Sequence, residues 1–144
     1  MARKKPAGIV AKLVPESRRL RFLPKMLGKF LWPVAENLVY SCAAKLSPEY
    51  AHGAWNFYEL SNGSFYLAPR APERMTLRIE GNQFDSTMSA DAAGITISLF
   101  VLNRLIWTIH EQGGNYDPQV EQYYALREYA KQHAEGGLIL RAID

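Results

Sequence analysis

The stretch from residue 55 to residue 69, Trp-Asn-Phe-Tyr-Glu-Leu-Ser-Asn-Gly-Ser-Phe-Tyr-Leu-Ala-Pro, decides the fold. From Ala54 onward, Trp55 and Phe57 fall on one face and Asn56, Tyr58 and Leu60 on the other, which is the period of a strand. Ser61 to Ser64 then supplies a turn, because Asn62-Gly63 accepts the positive φ angles of a tight hairpin. Ser64 to Ala68 reads as the return strand. Working outward, residues 69–73 form a connection, and Met75, Leu77 and Ile79 alternate with Thr76, Arg78 and Glu80. Gly81-Asn82 turns the chain again before a strand at Phe84 to Met88. Four strands in succession, joined by short links, predict a four-stranded antiparallel meander.

On either side of the strands the period lengthens to that of a helix. Ser89 is placed to cap a helix, and Asp91 adds negative charge to its first turn, where the helix dipole favours it. Ile95, Leu99, Leu102, Leu105, Ile106 and Ile109 line one side, and Ile97, Phe100, Val101 and Trp107 leave little polar face, so this helix belongs in the core. Its most apolar part, Ala92 to Leu102, is too short to span a bilayer and runs into Asn103 and Arg104. Gly113-Gly114 ends it, Pro118 opens another helix reaching about His133, and Gly136-Gly137 sets off a last short segment, Leu138 to Asp144. Upstream, Pro33 opens a helix that places Val34, Leu38, Cys42 and Leu46 at four-residue spacing before Ser47-Pro48 stops it. Arg18 to Leu23 fits a short edge strand or a turn of helix equally well. The expected architecture is α+β: a four-stranded antiparallel meander packed with three to four helices. It forms a single domain over residues 13–144, behind a flexible basic arm at 1–12.

Charge divides the chain more sharply than its net +3 suggests. Residues 1–30 carry nine bases against Glu16, and residues 31–144 carry eight bases against thirteen acids, so a front of +8 precedes a body of −5. Arg3, Lys4, Lys5 and Lys12 are the candidate phosphate contacts of that front. With one cysteine, Cys42, and no apolar leader behind a basic start, the expected setting is the cytoplasm, with no membrane. Catalytic constellations do not emerge. His52, His110 and His133 share no motif, His110-Glu111 lacks the second histidine of a zinc-protease helix because Gly114 stands there, and no Gly-rich loop leads into a phosphate-binding helix. The residues therefore predict no catalytic group, no metal site and no cofactor.

The same hairpin, with Ser-Ala-Asp-Ala-Ala-Gly at 89–94, Leu-Arg-Glu-Tyr-Ala at 126–130 and Arg-Ala-Ile-Asp at 141–144, resembles the ArdB/KlcA family of antirestriction proteins. Val-Pro-Glu at 14–16, Phe-Leu-Pro at 22–24 and Leu-Val-Tyr at 38–40 extend the likeness over roughly residues 13–144. The resemblance implies an α+β protein of mobile genetic elements, without enzymatic activity, that protects incoming plasmid or phage DNA from type I restriction and leaves methylation largely untouched. The implied partner is the type I restriction-modification complex, engaged directly or through DNA. A body charge of −5 is thin for a protein that imitates the phosphates of DNA, so acidic mimicry is disfavoured. Two candidate contact surfaces follow: Tyr58, Asn62 and Tyr66 on the hairpin, and Arg141 with Asp144 on the terminal segment. The alternative is a DNA-binding accessory protein that lays the basic arm on phosphates and the aromatic sheet face on unpaired bases.

Overall fold

The computed structural model describes residues 8–144, in the order strand, helix, helix, four strands, three helices. Strand β1 is Ala11–Leu13, helix α1 Arg19–Leu27, α2 Trp32–Leu46, β2 Trp55–Leu60, β3 Phe65–Pro69, β4 Arg74–Ile79, β5 Phe84–Ser89, α3 Ala90–Glu111, α4 Asp117–Gln132 and α5 Gly136–Ile143. The hairpin forms as its alternation demands, with Phe57 opposite Leu67 and Tyr58 opposite Tyr66. Gly63 takes a φ of +94° in its turn, a conformation that side-chain-bearing residues rarely adopt.

The single meander does not form. The five strands make two antiparallel sheets, β1-β2-β3 and β4-β5. The reason lies at the outer edge of β3, where a fourth strand would have to pair. There the Leu67 amide donates to Ser98 Oγ of α3 at 3.1 Å, and the same hydroxyl donates to the Leu67 carbonyl at 3.4 Å. Such an approach requires Gly94. A Cβ at that position would lie 2.5 Å from Ala68 Cα and closer still to the Leu67 carbonyl oxygen. Helix α3 thus takes the place of the missing neighbour strand, and both faces of β3 are buried.

Ala11 and Lys12, expected within the flexible arm, lie in strand β1. Ala11, Lys12 and Leu13 pair with Leu60, Glu59 and Tyr58, and Val14 enters the core. Gln132 of α4 holds the start of this strand with its amide, accepting from the Ile9 N–H at 2.8 Å and donating to the Ile9 carbonyl at 2.7 Å. The alternation over these few residues is too brief to read as a strand without its partner. Arg3, Lys4 and Lys5 lie outside the described residues.

Arg18 to Leu23 resolves as helix, with Phe22, Leu23 and Leu27 inward and Leu20 outward. In α2 the buried stripe is Ala35, Val39, Ala43 and Leu46. That is one residue round from the expected Val34, Leu38 and Cys42, because the two alanines let α2 sit close to α3. Val34 is exposed and Cys42 half-buried, with burial pushing its thiol up to about 11. Helix α3 would be long and apolar enough to cross a membrane, but Ala92 to Leu99 is entirely enclosed by the rest of the fold. Leu138 to Asp144 belongs to a docked helix whose Ile139 and Ala142 are fully buried.

Gly94→Ala is expected to lower unfolding stability by about 1–3 kcal/mol through overpacking, read from the urea midpoint. Gly137→Ala, in α5 with open space around it, is expected to leave the midpoint unchanged or raise it by up to about 1 kcal/mol.

Candidate functional site

The sheet face opposite α1 carries a column of three tyrosines. Tyr58 and Tyr66 stack across the hairpin with centroids 4.8 Å apart and planes 15° from parallel, and Tyr129 of α4 continues the stack at 5.8 Å from Tyr66. Tyr66 is only 1 % exposed. Its hydroxyl donates to Asp91 Oδ1 at 2.7 Å. The other oxygen of Asp91 accepts from His133 Nε2 at 2.8 Å, and His133 Nδ1 accepts the Glu135 amide hydrogen at 2.9 Å. Because a backbone N–H occupies Nδ1, the tautomer is fixed and Nε2 is the donor to Asp91. Glu135 turns back to take the Ser89 amide at 3.0 Å, with Arg74 at 3.9 Å, while Ser89 Oγ caps α3 by accepting from the Ala92 amide at 3.1 Å. The network joins the hairpin, the entry of α3 and the end of α4.

Electrostatics follow the contacts. Burial opposes ionisation of Asp91, but hydrogen bonds from His133 and Tyr66 outweigh it and hold the carboxyl below its ordinary range. Burial and then the Asp91 carboxylate push the Tyr66 hydroxyl well above its usual value. Glu135 is likewise held low, since hydrogen bonds from Ser89 and the charge of Arg74 overcome its desolvation.

An aspartate–histidine pair invites comparison with a catalytic relay, yet its parts are committed to one another. His133 has no ring nitrogen free to take a proton, and the hydroxyl nearest Asp91 is enclosed within the tyrosine stack. Among the described residues no three histidine, cysteine or carboxylate side chains gather as metal ligands. The cluster is a clasp. Sequence reading separates its members, because Asp91 and His133 are 42 positions apart and each fits a commoner role, helix cap and helix end.

Of the expected contact residues, Tyr58 remains half-buried, whereas Tyr66 is covered and has no face to offer a partner. Asn62 is engaged in docking the turn, donating to the Ala125 carbonyl at 2.8 Å and accepting from the Ser64 amide at 3.3 Å. The terminal pair is fixed from behind. Asn82 Nδ2 donates to the carbonyls of Ala142 at 2.8 Å and Asp144 at 3.1 Å, capping α5, while the Arg141 guanidinium lies 5.7 Å over Phe84. Both terminal charged residues stay exposed. Lys12 is exposed on β1, on the same sheet face as Glu59, which pairs with Lys25 at 3.0 Å.

The antirestriction protein family matches residues 48–144 of the chain. Two KlcA antirestriction proteins of Escherichia coli are 42 % identical over 143 residues, covering 96 % of each chain, and 41 % identical over 136 residues, covering 94 % of this chain and 95 % of the relative. The chain belongs to the antirestriction protein family. A solved structure from work on the KlcA and ArdB proteins is similar over 100 % of both chains, with a TM-score of 0.86 at 38 % identity. That work describes a novel fold and antirestriction activity against type I DNA restriction systems in vivo but not in vitro. Antirestriction proteins are non-enzymatic inhibitors, and a clasp committed to holding three elements together suits a molecule of that kind.

Asp91→Asn removes the charge at the centre of the clasp and is expected to cost about 1–2 kcal/mol in urea unfolding. The depressed carboxyl of Asp91 stabilises the fold above the unfolded-state pKa of about 3.9, and that contribution is lost as pH falls toward the lower folded value. Between about pH 5 and pH 3 the variant should therefore lose less stability than the parent.

Proposed function

We propose that the protein relieves type I DNA restriction in the cytoplasm by engaging the restriction complex, directly or with DNA present, and that it does so without imitating DNA. The observation that carries the reading is the state of its carboxylates. A DNA mimic needs rows of free acids at phosphate spacing. Here Glu59, Asp85, Glu128 and Glu135 pair with Lys25, Arg78, Lys131 and Arg74, Asp91 is held by Tyr66 and His133, and Glu49 is spent on the Thr76 amide and hydroxyl. Too few acids remain for such a track. The whole-chain likeness to KlcA supports the choice of type I systems. Activity in vivo but not in vitro, described for KlcA and ArdB, fits an inhibitor that needs a further component of the living cell. Arg141 and Asp144, exposed on a rigidly capped helix end, are the favoured contact of the two surfaces, with Tyr58 at the edge of the other.

A specific observation favours a second reading, in which DNA is touched as well. Arg18, in the turn just before α1, and Arg21 and Lys25 on the helix line, with Phe22, an open depression of about 250 Å³. No acid pairs with Arg18 or Arg21 among the described residues, while Lys25 pairs with Glu59. These cations suit phosphates without reading sequence.

Unmodified phage plated on cells with an active type I system should form at least about tenfold more plaques when the protein is present. The charge-inverted pair Arg141→Glu with Asp144→Lys should lose most of that relief while keeping its urea midpoint. No relief from soluble parent protein would sink the reading. For the second reading, duplex DNA affinity followed against salt should lose about two units of log–log slope in Arg18→Gln with Arg21→Gln, at about 0.9 per phosphate contact. An unchanged slope removes α1 from any DNA contact.

A further inference from the structure

From the midpoint of α3 onward an open groove of about 500 Å³ lies between it and α2. Leu38, Cys42, Leu46, Ile79, Phe100 and Val101 make its apolar floor. Lys45 of α2 and Arg104 of α3 stand at its rim, and Trp107, 57 % exposed, closes one end. No acidic residue lines the groove, and neither rim cation has an ion-pair partner among the described residues.

We propose that this groove binds an acidic amphipathic segment of a partner protein, whose apolar side chains fill the floor while its carboxylates pair with Lys45 and Arg104. The inference rests on the antirestriction reading and adds to the end of α5 a second protein contact through which it acts. Charge complementarity selects the occupant. A neutral or basic segment would bury two cations unpaired, which is costly in an apolar setting. Nucleic acid gains nothing from a greasy floor, and two cations make a poor phosphate track beside the stripe on α1. A flat lipid surface does not reach the floor of a concave site. Tryptophan and arginine side by side are the residue types on which binding energy concentrates at protein interfaces. Cys42, with its thiol pushed up to about 11, stays protonated and acts as part of the apolar floor.

The test places photoreactive benzoylphenylalanine at position 107 of the full chain, in cells carrying an active type I system, with the same residue at the exposed Tyr124 on α4 as control. Irradiation should give an adduct from position 107 in which the joined partner peptide mixes carboxylates with apolar residues. Lys45→Glu with Arg104→Glu should cut its yield at least about tenfold, equivalent to about 1.4 kcal/mol, and Lys45→Arg with Arg104→Lys should restore it. Both rim residues are exposed, so unchanged urea unfolding keeps the charge-inverted protein a fair comparison. An adduct no stronger than that from position 124, an adduct to nucleic acid, lipid or a basic peptide, or a yield indifferent to charge inversion overturns the proposal. The same strains are plated with unmodified phage. Loss of adduct together with loss of relief supports the groove as the contact for inhibition, whereas relief that survives loss of the adduct overturns that role and leaves antirestriction standing. An adduct of the expected kind from a parent chain that gives no relief refutes the antirestriction reading instead, and with it the groove's place in inhibition.

Discussion

The close passage of α3 across β3 governs how everything else in the molecule is arranged. Gly94 lets the helix backbone come against Leu67 and Ala68, and Ser98 then supplies the donor and acceptor that the outer edge of β3 would otherwise seek from another strand. A buried strand edge without partners is costly. A serine on the helix satisfies it at one residue and ends the sheet there. Two smaller sheets result, set around one helix that is enclosed over its first half.

With α3 fixed, its first turn becomes a meeting point. Ser89 caps it, and Asp91 looks outward to Tyr66 on one side and His133 on the other. Glu135 closes the circuit to Ser89. The hairpin and the end of α4, which are far apart in sequence, are thereby held in one orientation. Asn82 does similar work for α5, donating its side-chain amide to the carbonyls of Ala142 and Asp144. Of the surface features that recognition can use, the end of α5 and the α3 wall of the groove beside Trp107 are carried on elements anchored in this way. A rigid mount favours binding because little freedom is lost when a partner arrives.

Much of this was legible in the sequence, and the failures have physical causes. The hairpin, the cap at Ser89, the core helix and α4 follow from local patterns that need no knowledge of neighbours. The meander failed because strand succession says nothing about which edge a helix will occupy, and the decisive residues, Gly94 and Ser98, look like ordinary small residues within an apolar run. The stripe on α2 slipped by one position because alanines, weak as hydrophobic signals, were chosen there for closeness. Tyr66 was read as an outward aromatic since alternation gives the face and not what covers it. The likeness carried by the motifs led to the right family. Several of those motif residues serve the clasp and the docked turn, so motif membership alone does not mark a binding surface.

The proposed function, inhibition by engaging the restriction complex and not by standing in for DNA, is what a purified assay separates most directly. The most direct measurement is plasmid cleavage by a purified type I restriction enzyme, titrated with the purified protein in the presence and absence of extract from restriction-deficient cells. The account predicts inhibition only when extract is present, and inhibition that excess plasmid does not reverse. Stoichiometric inhibition by the protein alone, competed away by added DNA, would contradict it.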